Sequence, residues 1–209
     1  NLHRVPDGLS DTAAAFLDPL ASVLHGWNRV RNPAGTILIY GAGAIALLWA
    51  ATARRRGLRC VLAGRVPERL RLAAALGAQV VEVPERGDDE QLARALGEGA
   101  DVAVDCTGSP EVWERLAGLV RRGGEVVLFG GCAPGAAVTY DAARLHYDEI
   151  TLTGSFHYTP EEARAALAAL AAGEVDPLPL VTLTGSLHDL PAFLEAQARG
   201  EGIRYVVTG

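Results

Sequence analysis

Short apolar runs alternate with longer stretches of helical periodicity from position 35 onward. The runs have the length of strands, and in the longer stretches apolar residues recur every three or four positions. The predicted strands are 36–40, 60–63, 79–83, 101–105, 125–129 and 150–153. This alternation is typical of βαβ units, so the pattern predicts an α/β protein with a doubly wound, parallel, six-stranded sheet.

Helix signals separate these strands, and the two ends of the chain depart from the pattern. A nearly all-apolar helix is predicted over 44–56, and Thr159 followed by Pro160 and two glutamates marks a capped helix start. Residues 1–33 contain a short amphipathic helix near 11–25, and residues 187–209 contain a helix near 191–198 and a strand at 203–207. We therefore predict a central domain over 34–186, flanked by segments that belong to a neighbouring domain.

Composition narrows the classes of function. Hydrophobic residues make up 49% of the 209 residues and charged residues 21%, which indicates a globular chain. The net charge is -6 without a long basic run, so no nucleic-acid partner is expected, and no uncharged apolar run approaches the roughly 18 residues of a membrane span. Every basic residue is arginine, which excludes a Schiff-base lysine and a Walker lysine. A small-molecule partner is expected.

The cysteines give no evidence of a metal knuckle or a disulfide framework. Cys60, Cys106 and Cys132 are widely spaced and form no CxxC pair, so they are predicted to be small apolar core residues of a protein in a reducing compartment. The sequence from Asn1 onward shows no signal peptide, although the natural start of the protein can lie upstream. We expect a cytoplasmic protein.

A glycine turn follows the first predicted strand. Residues 41–46 read GxGxxA between a strand and a helix, which is the context of a dinucleotide-binding Rossmann turn. Gly41 permits the tight turn, and Gly43 lets the backbone approach a pyrophosphate, which would then lie on the amides that open the helix at Ala44 and Ile45. The alternative interpretation is a glycine-rich packing turn.

The end of the second predicted strand bears on the choice of cofactor. About 20 residues after the glycine turn, dinucleotide-binding proteins that prefer NAD carry an acid for the ribose hydroxyls. This chain has Gly64 and Arg65 there, with Arg69 one turn further on as a weaker second candidate. A guanidinium can hold a 2′-phosphate, so NADP is favoured over NAD, while the alternative is that Arg65 is a solvated loop charge. The missing acid also disfavours a methyltransferase.

Several further motifs follow one another in a characteristic order. They are Val5-Pro6-Asp7-Gly8-Leu9-Ser10, Asp18-Pro19-Leu20 with Leu24-His25-Gly26, the Gly41 turn, Leu76-Gly77-Ala78, Asp105-Cys106-Thr107-Gly108, Gly123-Gly124 with Phe129-Gly130-Gly131, and Gly154-Ser155-Phe156. Together they resemble the medium-chain dehydrogenase/reductase family of zinc-dependent alcohol and polyol dehydrogenases. The resemblance covers essentially the whole chain and is greatest to the branch that acts on polyols, sugars and amino alcohols.

The resemblance implies that this chain is the cofactor-binding half, with terminal segments that belong to a GroES-like catalytic domain. In the family, that domain precedes this region and carries the first zinc ligands, so the catalytic residues are expected upstream of Asn1. Asp18 stands where relatives have a Cys or Glu near the catalytic zinc, and an aspartate is a suitable oxygen ligand. A helix-dipole or capping role for Asp18 is an equal alternative. The lone histidines His25, His146 and His157 are not expected to be ligands.

The resemblance also places two more stretches beside the cofactor, at the carboxyl ends of strands. The stretches are 106–109 and 129–131, and the cofactor-binding residues expected in them are Cys106, Thr107, Gly108, Phe129, Gly130 and Gly131. Small residues there would let the nicotinamide ribose lie close to the backbone. The strand near 150–153 is expected at the sheet edge, where family members commonly pair, so a homo-oligomer, either a dimer or a tetramer, is expected.

The expected function is hydride transfer between NADP, or NAD, and a secondary alcohol of a polyol, sugar or amino alcohol. A zinc ion in the full-length protein would polarise the alcohol oxygen. Two alternatives stay open: a zinc-independent quinone or enoyl reductase of the same family, and a non-catalytic nucleotide-sensing Rossmann module.

Overall fold

A computed structural model describes residues 2–84 and 90–209 of the chain. Its α-helices are α1 (Asp11–Ala14), α2 (Leu17–Arg29), α3 (Ala44–Arg55), α4 (Pro67–Ala75), α5 (Glu90–Leu96), α6 (Pro110–Leu119), α7 (Ala142–Tyr147), α8 (Pro160–Ala171) and α9 (Leu190–Ala198). Its strands are β1 (Thr36–Tyr40), β2 (Arg59–Gly64), β3 (Gln79–Glu82), β4 (Ala100–Asp105), β5 (Val120–Leu128), β6 (Thr151–Gly154), β7 (Val181–Gly185) and β8 (Arg204–Val207). Short 3-10 helices cover Leu178–Leu180 and Leu187–Asp189.

Within the described residues, six strands form one parallel sheet in the order β3-β2-β1-β4-β5-β6. This confirms the predicted doubly wound sheet. The chain runs outward from β1 through β2 to β3 and then crosses back to β4, which pairs with β1 on its other side. The loops that follow β1 and β4 therefore diverge at the carboxyl edge of the sheet and leave a crevice between them.

Helices cover both faces of the sheet, which explains why the central strands are apolar at successive positions. Leu92 of α5 and Leu116 of α6 are fully buried in one cluster with Leu38, Val61 and Val126 of the strands. Alternate strand residues point to the other face, where α3 and α4 pack against β1, β2 and β3. The core of the sheet therefore lies in two layers, one on each face.

Some elements differ from the sequence prediction. The single helix predicted near 11–25 is two helices, α1 and α2; Ser10 caps α1 by accepting a hydrogen bond from the amide of Ala13. The fifth strand begins at Val120 rather than 125, because Val120 already pairs with Ala100 of β4, and the register shifts before Glu125 pairs with Val102. Helices α5 and α7 and strand β7 were not predicted, since they are short and their apolar periodicity is weak.

The chain divides into two compact units. One unit, His25–Phe156, contains the six-stranded sheet. The other consists of the residues up to Leu24 together with His157–Gly209, and it contains the parallel pair β7-β8 and the helix α8. The predicted cap of α8 is confirmed, since Thr159 and Glu162 form a reciprocal capping box. The predicted domain limits at 33/34 and 186/187 stay a prediction. Among the described helices, none has the length and apolar character that crossing a membrane requires.

Two carboxylates hold the segment before β1 against the edge of the sheet where the strands begin. Glu125, buried on β5, accepts hydrogen bonds from the backbone amides of Arg31 (2.9 Å) and Asn32 (3.0 Å). Asp101 of β4 accepts from the amide of Thr36 at the start of β1 (2.6 Å) and from the side chain of Arg121 (2.7 Å). The segment that leads into β1 is therefore held by charge-assisted hydrogen bonds.

Replacing Glu125 by glutamine tests this fastening. The new side-chain amide would present a donor to one of the two backbone amides that Glu125 accepts from, so Glu125→Gln is expected to lower the free energy of unfolding by about 1–3 kcal/mol. Urea unfolding measures the change, with Glu98→Gln as a matched control at an exposed position. Equal stability of the two variants would show that the two amide contacts do not hold this edge.

Candidate functional site

The glycine turn after β1 lies between the ends of its two neighbouring strands. Gly41 has a φ of 119°, in the region that favours glycine, and its amide donates to the carbonyl of Ala63 at 2.8 Å. A Cβ atom at Gly41 would lie 3.3 Å from the Cβ of Cys106 and 3.3 Å from the Cγ2 of Thr107. The turn is therefore held closely against the end of β2 and the residues that follow β4.

The second glycine leaves open space above a helix terminus. Gly43 is the N-cap of α3, has a φ of -83°, and a Cβ built on it would meet nothing within 4 Å. Protein packing therefore does not require glycine here. The first turn of α3, which begins with Ala44 and Ile45, contains no acidic residue, and Gly43 has no side chain that could cap it. The backbone amides of this first turn and the positive end of the helix dipole suit an anion such as a pyrophosphate.

A cavity of about 550 Å³ opens at this edge of the sheet. Its walls come from the turn after β1, the segment after β2, the end of β3, the loop after β4 and the first turns of α6. Its lining includes seven of the predicted cofactor residues: Gly41, Gly43, Gly64, Arg65, Arg69, Cys106 and Thr107. The other predicted residues are not among its lining residues: Ala44 and Ile45 in α3, Gly108 after β4, and Phe129, Gly130 and Gly131 after β5.

The end of β2 carries cations and no acid. A Cβ at Gly64 would lie 2.7 Å from the Cβ of Ala42, so this strand end packs closely against the glycine turn. Arg65 is exposed, Arg69 on α4 is half-buried, and both line the cavity. This wall therefore suits an anionic group.

Asp105, at the end of β4, organises the loop that follows it. Its carboxylate is fully buried and accepts four hydrogen bonds: from the amide and hydroxyl of Thr107 (2.9 and 2.6 Å), the amide of Gly108 (2.9 Å) and the indole N–H of Trp113 (2.9 Å). A Cβ at Gly130 would lie 2.6 Å from the Asp105 Oδ2 and would collide with the amide of Gly108. The two glycine-containing loops predicted near the cofactor are thus brought together backbone to backbone.

Phe129 has a different position from its neighbours. Its ring packs edge-on against Trp49 of α3, with centroids 5.8 Å apart. Trp49 in turn packs against Trp27, with the ring centroids 4.7 Å apart and the planes tilted by 45°, and the indole N–H of Trp27 donates to the hydroxyl of Thr52 at 2.8 Å. Phe129 therefore anchors the loop after β5 to α3.

Burial raises the pKa of each of the three thiols. Burial raises the pKa of Cys60, a core residue as predicted, to about 12. Cys106 is half-buried in the cavity wall rather than in the core, and burial followed by the neighbouring Asp105 carboxylate raises its pKa well above the usual range. Burial, with Asp105 and Glu111, also raises the pKa of Cys132. At neutral pH neither Cys106 nor Cys132 is expected to supply a thiolate.

Asp18 lies in the other unit, in the first turn of α2, where a negative charge is favourable to the helix dipole. Its carboxylate is exposed and accepts a hydrogen bond from the Tyr158 hydroxyl at 2.8 Å, which raises the pKa of Tyr158. Over residues 2–84 and 90–209, no group of three histidine, cysteine, aspartate or glutamate side chains could hold a metal ion. Asp18 could supply one oxygen ligand, but the described residues do not assemble a complete zinc site.

Sequence reasoning missed one wall of the cavity. Tyr40 ends β1, and Glu111, Val112 and Arg115 come from α6. Ser109 also lines the cavity, as expected from the stretch 106–109 that the resemblance places beside the cofactor. A usable signal was present, because only residues 106–109 separate β4 from α6. So short a loop forces the first turns of that helix to face the crevice.

The Asp105 network yields a prediction. In Asp105→Asn the amide group would face donors, so we expect the free energy of unfolding to fall by about 1–3 kcal/mol. The amides of Thr107 and Gly108 should exchange with solvent faster, which NMR hydrogen exchange measures residue by residue. Asp7→Asn, at an exposed position, is the control. Unchanged protection of both amides would show that the carboxylate does not order this loop.

Comparison with known proteins gives consistent results. A model of the family described as zinc-binding dehydrogenase matches residues 44–172, which is more than half of the chain. L-Threonine 3-dehydrogenase of Shewanella loihica is 26% identical over 211 residues. That alignment covers 100% of this chain and 61% of the relative, so the chain spans less than two thirds of the length of the relatives it matches.

Solved structures share the fold. A zinc-binding dehydrogenase of Sinorhizobium meliloti bound to NADP superposes with a TM-score of 0.85 at 28% identity, covering 98% of this chain and 60% of that one. The 2R,3R-butanediol dehydrogenase of Bacillus subtilis superposes with a TM-score of 0.88 at 26% identity, covering 99% and 60%. In both, this chain corresponds to a part of a longer protein.

Proposed function

Because the chain belongs to the zinc-binding dehydrogenase family, we propose that it is the cofactor-binding half of an alcohol dehydrogenase that prefers NADP. The resemblance of the sequence to the medium-chain dehydrogenase/reductase family is confirmed, as is the expected Rossmann-type sheet. The observation that supports the proposal is the cavity at the carboxyl edge of the sheet. Its lining contains both Gly43, at the start of α3, and the arginines Arg65 and Arg69, which are called the arginine wall below. Relatives that act on threonine and butanediol support a secondary alcohol of a polyol, sugar or amino alcohol as substrate.

The glycine turn and α3 would hold the pyrophosphate of the dinucleotide. Gly43 keeps the space above the helix terminus open, and the amides of Ala44 and Ile45 are then available to the phosphate oxygens. Because Gly41 has no side chain, the turn lies close to the residues after β4, and a dinucleotide could then cross the sheet edge above it. This arrangement supports the dinucleotide interpretation over a plain packing turn, because packing explains Gly41 but not Gly43.

The arginine wall supports NADP over NAD. Gly64 offers no carboxylate for the ribose hydroxyls, and Arg65 and Arg69 line the cavity beside it. Guanidinium groups bind phosphate by charge-assisted hydrogen bonds, which NAD cannot use at this position. The Sinorhizobium relative, which has NADP bound, is consistent with this preference.

The other end of the cofactor would lie at the loops after β4 and β5. When bound, the nicotinamide supplies the hydride acceptor. The residues of this chain contribute position: Asp105 holds Thr107 at the cavity, and the close contact of Gly108 with Gly130 and Gly131 keeps side chains away. The reacting groups of the substrate site would come from the part of the relatives that this chain does not span.

Zinc assistance is a proposal for the whole protein. Asp18 would contribute one oxygen ligand, and the others would come from outside the described residues. The zinc-independent reductase alternative is favoured by one observation, the hydrogen bond that already engages Asp18 with Tyr158. Metal analysis of the whole protein separates the two: stoichiometric zinc supports the alcohol dehydrogenase, and its absence supports the reductase.

We also infer assembly into a homo-oligomer in the cytoplasm. β6 is the last strand of the sheet order and its residues are only partly buried, which supports pairing of this edge with a second copy.

Removing one guanidinium tests the cofactor preference. Arg65→Ala should raise the Kd for NADP about tenfold or more, since a hydrogen bond to a charged group contributes about 1.5–3 kcal/mol. The Kd for NAD should change little, because NAD has no 2′-phosphate. Isothermal titration calorimetry measures both constants.

Arg71→Ala, on the same helix as Arg69 but outside the cavity lining, is the control for loss of a positive charge. If Arg65→Ala weakens NADP and NAD alike, Arg65 has a structural or surface role and the NADP preference fails.

A further inference from the structure

Trp113 contacts the candidate site from outside the cavity lining. It lies on α6 next to Val112, which does line the cavity, and its side chain is half-buried. Its indole N–H donates to the Oδ2 of Asp105 at 2.9 Å. An effect of Trp113 on a ligand would therefore pass through the Asp105 carboxylate.

The hydrogen bond from Trp113 differs in kind from the other three that Asp105 accepts. Those three come from the amide and hydroxyl of Thr107 and the amide of Gly108, so their donors lie within three residues of Asp105. Such bonds form a local turn, which can move as one unit. The indole belongs to α6, which packs on β4 and β5, so its bond ties the turn to the rest of the sheet.

The buried carboxylate depends on this fourth donor. Asp105 is fully buried, and a buried charge needs hydrogen bonds at its lone pairs, of which a carboxylate has about four. The last torsion of an aspartate side chain has a broad energy well, so the local turn alone does not fix the direction of the carboxylate. Without the indole, the carboxylate can rotate and take with it Thr107, which lines the cavity.

The loop after β5 lies against the same oxygen atom. A Cβ at Gly130 would be 2.6 Å from the Asp105 Oδ2 and 2.4 Å from the amide nitrogen of Gly108. The amide of Gly130 also donates to the backbone carbonyl of Asp105 at 2.9 Å. A rotated carboxylate would press on this backbone, so Trp113 acts on both loops that are expected at the nicotinamide end of the cofactor.

We propose that Trp113 is a positioning residue for the nicotinamide half of the bound dinucleotide, and that it acts by holding the Asp105 carboxylate with its indole N–H. This inference rests on the proposed function, since it takes a dinucleotide as the ligand. The arginine wall follows β2, on the opposite side of β1 from β4. Affinity for the end of the ligand that carries the 2′-phosphate should therefore not depend on this hydrogen bond.

Two substitutions separate the hydrogen bond from the packing of the ring. Trp113→Phe keeps an aromatic ring and removes the donor. Trp113→His loses part of the ring but keeps an N–H in nearly the same place, because the five-membered rings of indole and imidazole attach to Cβ in the same way. Working at pH 8 keeps the imidazole neutral.

Calorimetry with two ligands measures the effect. The Kd for NADP should rise about tenfold in Trp113→Phe and stay close to the wild-type value in Trp113→His. The Kd for adenosine 2′,5′-bisphosphate, which lacks the nicotinamide half, should be the same in all three proteins.

Hydrogen exchange gives a second readout that needs no ligand. The amide of Gly108 shares the Asp105 Oδ2 with the indole, so it should exchange faster in Trp113→Phe than in the wild type or in Trp113→His.

Three results would overturn the inference. They are an unchanged Kd for NADP in Trp113→Phe, weaker NADP binding by Trp113→His than by Trp113→Phe, and an equal loss of affinity for both ligands. If the wild-type chain binds no dinucleotide, the proposed function fails, while the exchange of the Gly108 amide still decides whether the indole holds the loop. Thermal melting checks the fold. If Trp113→Phe does not fold, 3-benzothienylalanine at position 113, which keeps the shape of tryptophan without the N–H, replaces it with the same expected result.

Discussion

The close approach of three backbone turns at the carboxyl edge of the sheet is the constraint on which the candidate site depends. Gly41 lies against the residues after β4, and a side chain at Gly108 would collide with the carbonyl of Gly131. The backbone amides of Thr107 and Gly108 need acceptors in this arrangement, and the buried Asp105 carboxylate supplies them. Loops packed in this way present backbone, rather than side chains, to a ligand.

The charged groups at this edge of the sheet form regions that suit different parts of a ligand. The chain as a whole is acidic, with a net charge of -6, yet arginines from α4, α6 and the segment after β2 line the cavity beside an open helix terminus. A dinucleotide has matching parts: a pyrophosphate for the terminus, a ribose with or without a phosphate, and a flat neutral base. The family match and the geometry therefore support the same kind of ligand by separate routes.

Local signals account for what the sequence could predict. The strands could be predicted because helices cover both faces of the sheet, which makes the strands continuously apolar. The turn at Gly41 could be predicted because it lies between a strand and a helix. The role of Asp105 could not be predicted from the sequence, because one of its hydrogen-bond donors is Trp113, which lies beyond the loop in α6. Arg115 was missed for a related reason: its place in the cavity depends on how α6 is rotated against the sheet, which periodicity fixes only for its buried face. Helix α7 buries no residue fully and gave no pattern to detect.

A crystal structure of this chain grown with NADP would test directly whether the carboxyl edge of the sheet binds the cofactor. We expect the pyrophosphate on the amides of Ala44 and Ile45 at the start of α3, with the 2′-phosphate beside Arg65 and the nicotinamide toward the loops after β4 and β5. NADP bound at another place, or with its 2′-phosphate away from both Arg65 and Arg69, would show that this edge of the sheet is not an NADP site of the proposed kind.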